Sequence, residues 1–274
     1  MSFSADVKVE LSKIGNFNKD ILMAELIGYF LSGNMIENVD NFEFITENVF
    51  NIEHLYKILF NLEMEYEPET RGKCYIAQIQ KKDVIEMMKG QQKIQSDLRR
   101  YIVKGAFLGS GSVNNPEKNY HLEVVFSQKE NSDFILEICQ EYGVNFKQIR
   151  MNGKYQLYLK EGEEISRFLA LIGANQAVLK FEDVRVMKEM KNNVNRKVNC
   201  ETANLNKTID AAIRQIDDIQ FIKKKRKFDE LPKELKDVAN LRLQNPDLSL
   251  KDLSELMEPP IRKIWIESKI EKNS

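Results

Sequence analysis

Few groups in this chain are equipped for chemistry. There are two histidines, His54 and His121, and three cysteines, Cys74, Cys139 and Cys200, all far apart. No Cys or His spacing forms a zinc clip. Two isolated histidines argue against a His-rich metal site and a Ser-His-Asp triad, and an odd cysteine count fits a reducing compartment. What remains is a Gly/Ser knot in "GAFLGSGSVNNPEKNYHLEVVFSQ", starting at Gly105. Three readings are open: it cradles a phosphate, it seats a metal, or it lets two helices touch. A phosphate cradle needs a strand before the glycines and a Lys and Ser/Thr after them. Here an apolar helix precedes the knot and a strand follows. A metal site needs carboxylates, for which the strand acids Glu43 and Glu123 are candidates. Their competing place is the solvated side of a sheet. Helix contact needs only the missing Cβ of glycine.

The elements around the knot form a repeat. With 274 residues, 42% of them hydrophobic and 30% charged, the chain builds one large domain or two ordinary ones. Lys+Arg number 41 and Asp+Glu 42, which excludes a uniformly basic coat but leaves room for a local basic patch. The N-terminus "MSFSADVKVELSKIG" is charged and amphipathic without an apolar signal core, and no later window approaches a membrane span. A first pass runs through the apolar helix "DILMAELIGYFLSGNM" with Gly28, the strand "NFEFIT", the helix "VFNIEHLYKILFNLEM", the strand-like "YEPETRGKCYIAQIQ" and the short helix "KDVIEMMKG". A second repeats the order from "DLRRYIVKGAFLGSGS" through "YHLEVVF", "SDFILEICQEYG" and the hairpin "VNFKQIRMNGKYQLYLKE" to "EEISRFLALIG". Asn152-Gly153 is a strong two-residue hairpin turn. This predicts an α+β body of two pseudo-repeated lobes over 1–175, lobe 1 about 1–95 and lobe 2 about 96–175.

Residues 176–227 have helical periodicity but are polar, with Asn192, Asn193, Asn195, Asn199, Asn204 and Asn206 in their middle. They read as a connector of two helices joined at the Asn-rich stretch. From 228 to 274 a small all-α unit follows: a helix with Pro232 in its first turn, then a second helix with Ser249 as N-cap. Two short helices with a third to follow fit a helix-turn-helix.

Four segments carry a resemblance: "AELIGYFLSGNM", "RRYIVKGAFLGSGSVNNPEKNYHLEVVF", "NRKVNCETANLNKT" and "LPKELKDVANLRLQNPDLSLKDLSELMEPP". Together they resemble the WhiA family of bacterial sporulation and cell-division regulators, across nearly the whole chain up to Pro260. The resemblance implies a body like the LAGLIDADG homing endonucleases, followed by a C-terminal helix-turn-helix. It also implies a non-enzymatic DNA-binding regulator of transcription, cell division and chromosome segregation, with sporulation in some relatives. In homing endonucleases two LAGLIDADG helices lie side by side through glycines and end in metal-binding acids. Laid on this chain, the packing glycines are Gly28 and Gly105, and the acid positions are Gly33 and Ser110. Neither supplies a carboxylate, and the neighbouring motif acids fall on Leu31 and Leu108. The knot is thereby read as a packing device without its metal, with no catalytic residue, metal or cofactor expected.

The expected partner is double-stranded DNA, with another transcription regulator as a further candidate, no membrane, and a cytoplasmic, nucleoid-associated location. Phosphate contacts need Lys and Arg. Candidates are the run Lys223, Lys224, Lys225, Arg226 and Lys227, whose plain reading is a solvated helix end; Lys147, Arg150 and Lys154 at the hairpin, with Lys160, Tyr155 and Tyr158 nearby; Arg196 and Lys197 in the Asn-rich stretch; and Lys251, Arg262 and Lys263 in the C-terminal unit. Two other functions compete: a divergent metal-dependent nuclease, and a protein-docking module with little direct DNA binding. After Lys263 the tail "IWIESKIEKNS" departs from the family's Lys-Ser-Gly-x-Asn segment. Back-translation with chosen codons and one deleted base recovers S-G-L-N-Q-R-L-K-K-I, so a one-base frameshift is expected to have replaced the reading helix.

Overall fold

The computed structural model of the chain describes residues 2–13, 15, 18–89, 95–225 and 227–257. It divides into two compact units, Met1–Lys188 and Glu189–Ser274.

The first unit repeats one motif. After α1 (Phe3–Lys13), lobe 1 runs α2 (Lys19–Leu31), β1 (Met35–Glu37), β2 (Asn41–Thr46), α3 (Val49–Asn61), β3 (Tyr66–Arg71), β4 (Cys74–Gln80) and α4 (Lys81–Lys89). Lobe 2 runs α5 (Arg99–Ser110), β5 (Gly111–Val113), β6 (Leu122–Phe126), α6 (Lys129–Glu141), β7 (Lys147–Met151), β8 (Lys154–Leu159) and α7 (Gly162–Leu171). The sheets are antiparallel, with orders β1-β2-β4-β3 and β5-β6-β8-β7. Period-2 alternation assigns their faces. Phe42 and Phe44 of β2 pack into the core, as do Leu122, Val124 and Phe126 of β6. Residues between them, Glu43 and Glu123 included, lie on the opposite, open face. The β7–β8 turn has Asn152 at φ 51° and Gly153 at φ 78°, the two left-handed residues that a type I′ hairpin requires. The three-residue strands β1 and β5 were not legible in the sequence; each is formed by the chain leaving a core helix and pairing at once with the next strand.

Asn18 caps α2 by accepting from the N–H groups of Asp20 and Ile21, and Asn48 caps α3 by accepting from Asn51. α2 is buried almost all round, as an element at the centre of a two-lobed core must be. Its largest contact is with α5.

One expectation fails. The Asn-rich stretch is not a joint between two helices, because α8 is a single helix, Asn175–Lys224. Its sequence contains neither Gly nor Pro. Each Asn costs only about 0.7 kcal/mol relative to Ala, which six of them spread along a long helix do not turn into a break. Nor does the body end at 175: Ala177 and Phe181, in the first turns of α8, are buried in its core, where Phe181 meets the rings of Phe3 and Tyr120.

The second unit holds the remainder of α8 with α9 (Lys233–Gln244) and α10 (Leu250–Glu255). A capping box of Ser249 and Asp252 starts α10. Val238 and Met257 form its small core with Leu241 and Leu250. Arg242 is buried beside them. It donates to the carbonyls of Asn245 (3.3 Å) and Leu248 (2.6 Å) in the α9–α10 turn, and to Gln215 Oε1 of α8 (3.0 Å). Burial lowers the pKa of its guanidinium.

Candidate nucleic-acid interface

The α2–α5 seam is backbone against backbone. A Cβ on Gly28 would stand 2.0 Å from the Ile102 carbonyl oxygen, and one on Gly105 would stand 1.9 Å from that of Glu25. Only glycine fits at either point.

Gly33 and Ser110 lie where the two helices end, and they converge on one atom. The Gly33 N–H donates to the Val125 carbonyl oxygen at 2.8 Å, and the Ser110 hydroxyl donates to the same oxygen at 2.5 Å. A Cβ at Gly33 would be 2.8 Å from that oxygen. The position thus lacks a carboxylate and lacks room for one. Neither residue at this point offers a carboxylate to a divalent cation.

The free carbonyls at the two helix ends are taken by side chains from the other half of the body. For α5, the Leu108 oxygen accepts from Asn51 Nδ2 (2.8 Å) and Lys8 Nζ (3.1 Å), and the Gly109 oxygen from Asn34 Nδ2 (2.8 Å). For α2, Asn131 Nδ2 donates to the Leu31 oxygen (3.2 Å), and Lys154 Nζ to the Gly33 oxygen (3.1 Å). Asn51 also accepts from the Tyr29 hydroxyl at 2.5 Å. Amides and ammonium groups suit the negative end of a helix dipole. Burial lowers the Lys8 ammonium to about 8. Sequence reasoning missed Lys8, Asn34, Asn51 and Asn131, because single polar residues 57 to 100 positions from their partners leave no periodic signal.

Deeper in the seam lies a buried ionic cluster. Glu25 of α2 accepts from His54 Nε2 of α3 at 2.7 Å and from Lys104 Nζ of α5 at 3.0 Å. Burial raises the Glu25 carboxyl, but the His54 hydrogen bond and the Lys104 charge outweigh it, and the net value lies below the ordinary carboxylate range. Burial, and then the Glu25 charge, hold the Tyr29 phenol well above its usual range. Burial likewise pushes the Cys139 thiol up, which leaves it unreactive.

The open sheet faces carry two of the remaining candidates, Lys147 and Lys154. In lobe 1 the cross-strand row Ile36, Glu43, Gln78 and Glu67 adjoins Ile45, Ile76 and Glu69. Arg71 bridges Glu69 (2.6 Å) and Glu43 (3.2 Å). In lobe 2 the matching row is Ser112, Glu123, Tyr158 and Lys147. Glu123 accepts from Ser112 (3.2 Å), His121 (3.0 Å) and Gln156. Each strand acid therefore has partners within its own sheet. Lys160 lies 5.4 Å from the Tyr158 ring centroid. Register separates the three hairpin cations. Lys147 and Lys154 share the open face with Tyr158. Arg150 falls on the helix side, pairs with Tyr155 and covers its ring at 5.6 Å, so it does not belong to the same patch.

In the second unit Arg196, Lys197, Lys223, Lys224, Lys225, Lys227 and Lys251 are all exposed. Lys223 and Lys225 lie over Phe228 and Phe221 at 4.6 and 5.5 Å. Arg226, Arg262 and Lys263, and with them the tail after Lys263, lie outside the described residues.

Comparison with known proteins adds the following. Residues 99–191 match the WhiA LAGLIDADG-like domain, and residues 194–272 match the WhiA C-terminal HTH domain. The second match runs past Lys263 and includes the tail segment. The chain is 47% identical over 176 residues to the probable cell division protein WhiA of Clostridium botulinum, covering 64% of this chain and 56% of that protein. Against its namesake from Clostridium tetani the identity is 46% over 174 residues, covering 64% and 55%. The chain thus spans little more than half the length of the curated relatives it matches. Among solved structures, full-length DUF199/WhiA from Thermatoga maritima superposes with a TM-score of 0.66 at 25% identity, covering 100% of this chain and 96% of that one. The N-terminal LAGLIDADG domain of DUF199/WhiA gives a TM-score of 0.57 at 20% identity, covering 63% and 90%, and shows the fold alone. No helix among the described residues is long and apolar enough to cross a membrane.

Proposed function

This chain belongs to the WhiA family, with a LAGLIDADG-like body and a C-terminal helix-turn-helix, and from that premise we propose that it is a DNA-binding regulator that does not cut DNA. The observation carrying the second half is that Gly33 and Ser110, which both donate to the Val125 carbonyl oxygen at the helix ends, offer no carboxylate for a metal. The cationic residues of the second unit supply sequence-independent phosphate affinity, and the helix-turn-helix supplies orientation. On this reading the protein acts in transcription control, cell division and chromosome segregation, and resides in the cytoplasm with the nucleoid. The expected results are salt-sensitive duplex binding and intact plasmid after incubation with Mg²⁺ or Mn²⁺. Metal-dependent cutting by the purified chain, absent from a preparation of an inactive control, would overturn it. Adding Asp at both Gly33 and Ser110 should lower stability without producing cleavage, because the first substitution drives a side chain into Val125.

A second reading is favoured by the open face of lobe 1. Glu43, Glu67 and Glu69 there outnumber Arg71, a poor surface for a phosphate backbone. We propose that this half of the body docks a protein, another regulator among the candidates, while the second unit holds DNA. The tail belongs to the same proposal. If a frameshift replaced the reading helix, footprinting should give weak general protection and no discrete operator. Resequencing across Ile264 decides the cause.

A further inference from the structure

The buried ionic cluster leaves one polar atom unused. His54 is only 6% exposed, and its Nε2 is committed to Glu25 at 2.7 Å. The Glu25 carboxyl titrates below its ordinary range, so it is ionised, can only accept, and fixes a proton on Nε2. The other ring nitrogen, Nδ1, has no hydrogen-bond partner in the protein. Polar atoms of a nearly buried side chain ordinarily have one. Among the described residues no sealed side-chain nitrogen or oxygen lacks a partner, so Nδ1 is not sealed. The ring stands in the wall of a cavity of about 490 Å³ formed by the end of α1 with α2 and α3, and Nδ1 opens onto it. A cavity of this size suits a ligand of small-metabolite dimensions.

The rest of the wall says what chemistry would meet that nitrogen. Leu22, Phe50 and Ile58 give an apolar side. The charged groups facing the cavity are Lys13 from α1, Glu25 from α2, and Glu53 and Lys57 from α3, with Lys104 of α5 behind Glu25. Glu25 and Lys104 neutralise each other at 3.0 Å, whereas Lys13, Lys57 and Glu53 form no ion pair. The wall is therefore net cationic, and a proton on Nδ1 adds a further positive charge and a donor. Glu25 stands behind the ring to balance that charge, as the acid of a carboxylate–imidazole pair does. A phosphate monoester matches this set. It carries about −1.5 to −2 at neutral pH and presents three acceptor oxygens, and lysine suits it as a point charge. We infer that this cavity binds a small phosphate monoester with an aromatic or apolar body, the phosphate held by Lys13, Lys57 and a protonated His54 Nδ1, the body lying against Leu22, Phe50 and Ile58. The site lies within the body of the protein and does not rest on the DNA-binding reading.

The test uses the full chain, free of DNA, with phenyl phosphate as the probe and benzoate, which has the same ring but a single charge, as the comparison. Calorimetry should show one phenyl phosphate bound per chain, and benzoate bound several-fold more weakly. Lys57→Gln, at an exposed position, should keep the melting temperature and weaken phenyl phosphate several-fold. The chain has two histidines, so nitrogen NMR of the imidazoles, assigned with His121→Gln, follows His54 directly. With phenyl phosphate bound at a pH of about 7.5, its Nδ1 should carry a proton. His54→Gln should abolish binding; if that variant is unstable, the Lys57→Gln affinity and the imidazole signal decide without it. No binding at millimolar phenyl phosphate overturns the inference. So does benzoate binding as tightly as phenyl phosphate. Binding that leaves Nδ1 bare, or that Lys57→Gln does not weaken, overturns it too, because the phosphate then sits on exposed lysines elsewhere.

Discussion

The two lobes of the body share a strand order, yet their open faces carry opposite charge. Where lobe 1 places Glu43, Glu67 and Glu69 around one arginine, lobe 2 places Lys147 and Lys154, with Lys160 beside them, around Glu123 and Tyr158. The helix seam, by contrast, is matched, with Gly28 set against Gly105. A duplicated fold constrains what is packed and leaves the solvated rows free to diverge. Symmetry inside and asymmetry outside is what a scaffold shows when both halves must still fold together but no longer share one ligand.

The sharpest way to break the symmetric interior is to fill the seam. Gly105→Leu forces a side chain through the Glu25 backbone, and Gly28→Leu does the same at Ile102. Each should cost more than about 3 kcal/mol, the upper range for overpacking, and thermal melting should show both lobes lost in one transition. Gly109→Ala should also destabilise the seam, because its new Cβ would stand 2.3 Å from the Ser32 Oγ and 2.5 Å from the Ser32 Cβ, which side-chain rotation does not move. An unaltered melting temperature in Gly105→Leu would sink the paired-helix account.

Next in size is the buried cluster. Glu25→Leu leaves Lys104 buried without its carboxylate, and removing one partner of a buried pair costs about 3–5 kcal/mol. The pH dependence has a definite sign. The Glu25 carboxyl titrates below its ordinary range in the folded state. Its contribution is therefore fully present above the unfolded carboxyl value, about 4.3, and is lost as pH falls through the folded one. Glu25→Gln should flatten that acid limb of the stability curve, measured by denaturant titration. An acid limb identical to the parent's would exclude Glu25 as its source.

How much of this was legible in the residues depends on the range over which each signal acts. "NFEFIT", the Asn152-Gly153 turn and the Gly28/Gly105 pair are local or repeated patterns, and they announced strands, hairpin and seam. The wiring of Asn51, Asn131 and Lys8 to helix ends depends on contacts 57 to 100 residues apart and has no local pattern. The Asn-rich stretch misled for a related reason. Asparagine favours turns when nothing else holds the chain, but here no Gly or Pro interrupts the helix and its apolar stripe continues through. Arg150 shows the limit of composition: it belongs to a basic hairpin by sequence and faces the wrong way by parity.

The smallest effect expected is on DNA affinity through the open faces, and it tests the asymmetry most directly. If the second unit supplies most phosphate contacts, neutralising Lys223, Lys224, Lys225 and Lys227 should weaken all duplexes alike and flatten the salt dependence by roughly 0.9 in log–log slope per lost contact. Against that background, Lys147→Gln with Lys154→Gln should lower affinity a further few-fold only if lobe 2 touches the backbone. Glu67→Gln with Glu69→Gln should leave affinity unchanged if lobe 1 faces a protein, or raise it if its acids are repelling nearby DNA. Lys154 also donates to the Gly33 carbonyl, so its variant needs a matched melting temperature before any loss is assigned to DNA. Fluorescence anisotropy at two salt concentrations separates the cases. An equal response of the two lobes to charge removal would show that their opposite faces meet the same partner, and the comparison between them would lose its functional meaning.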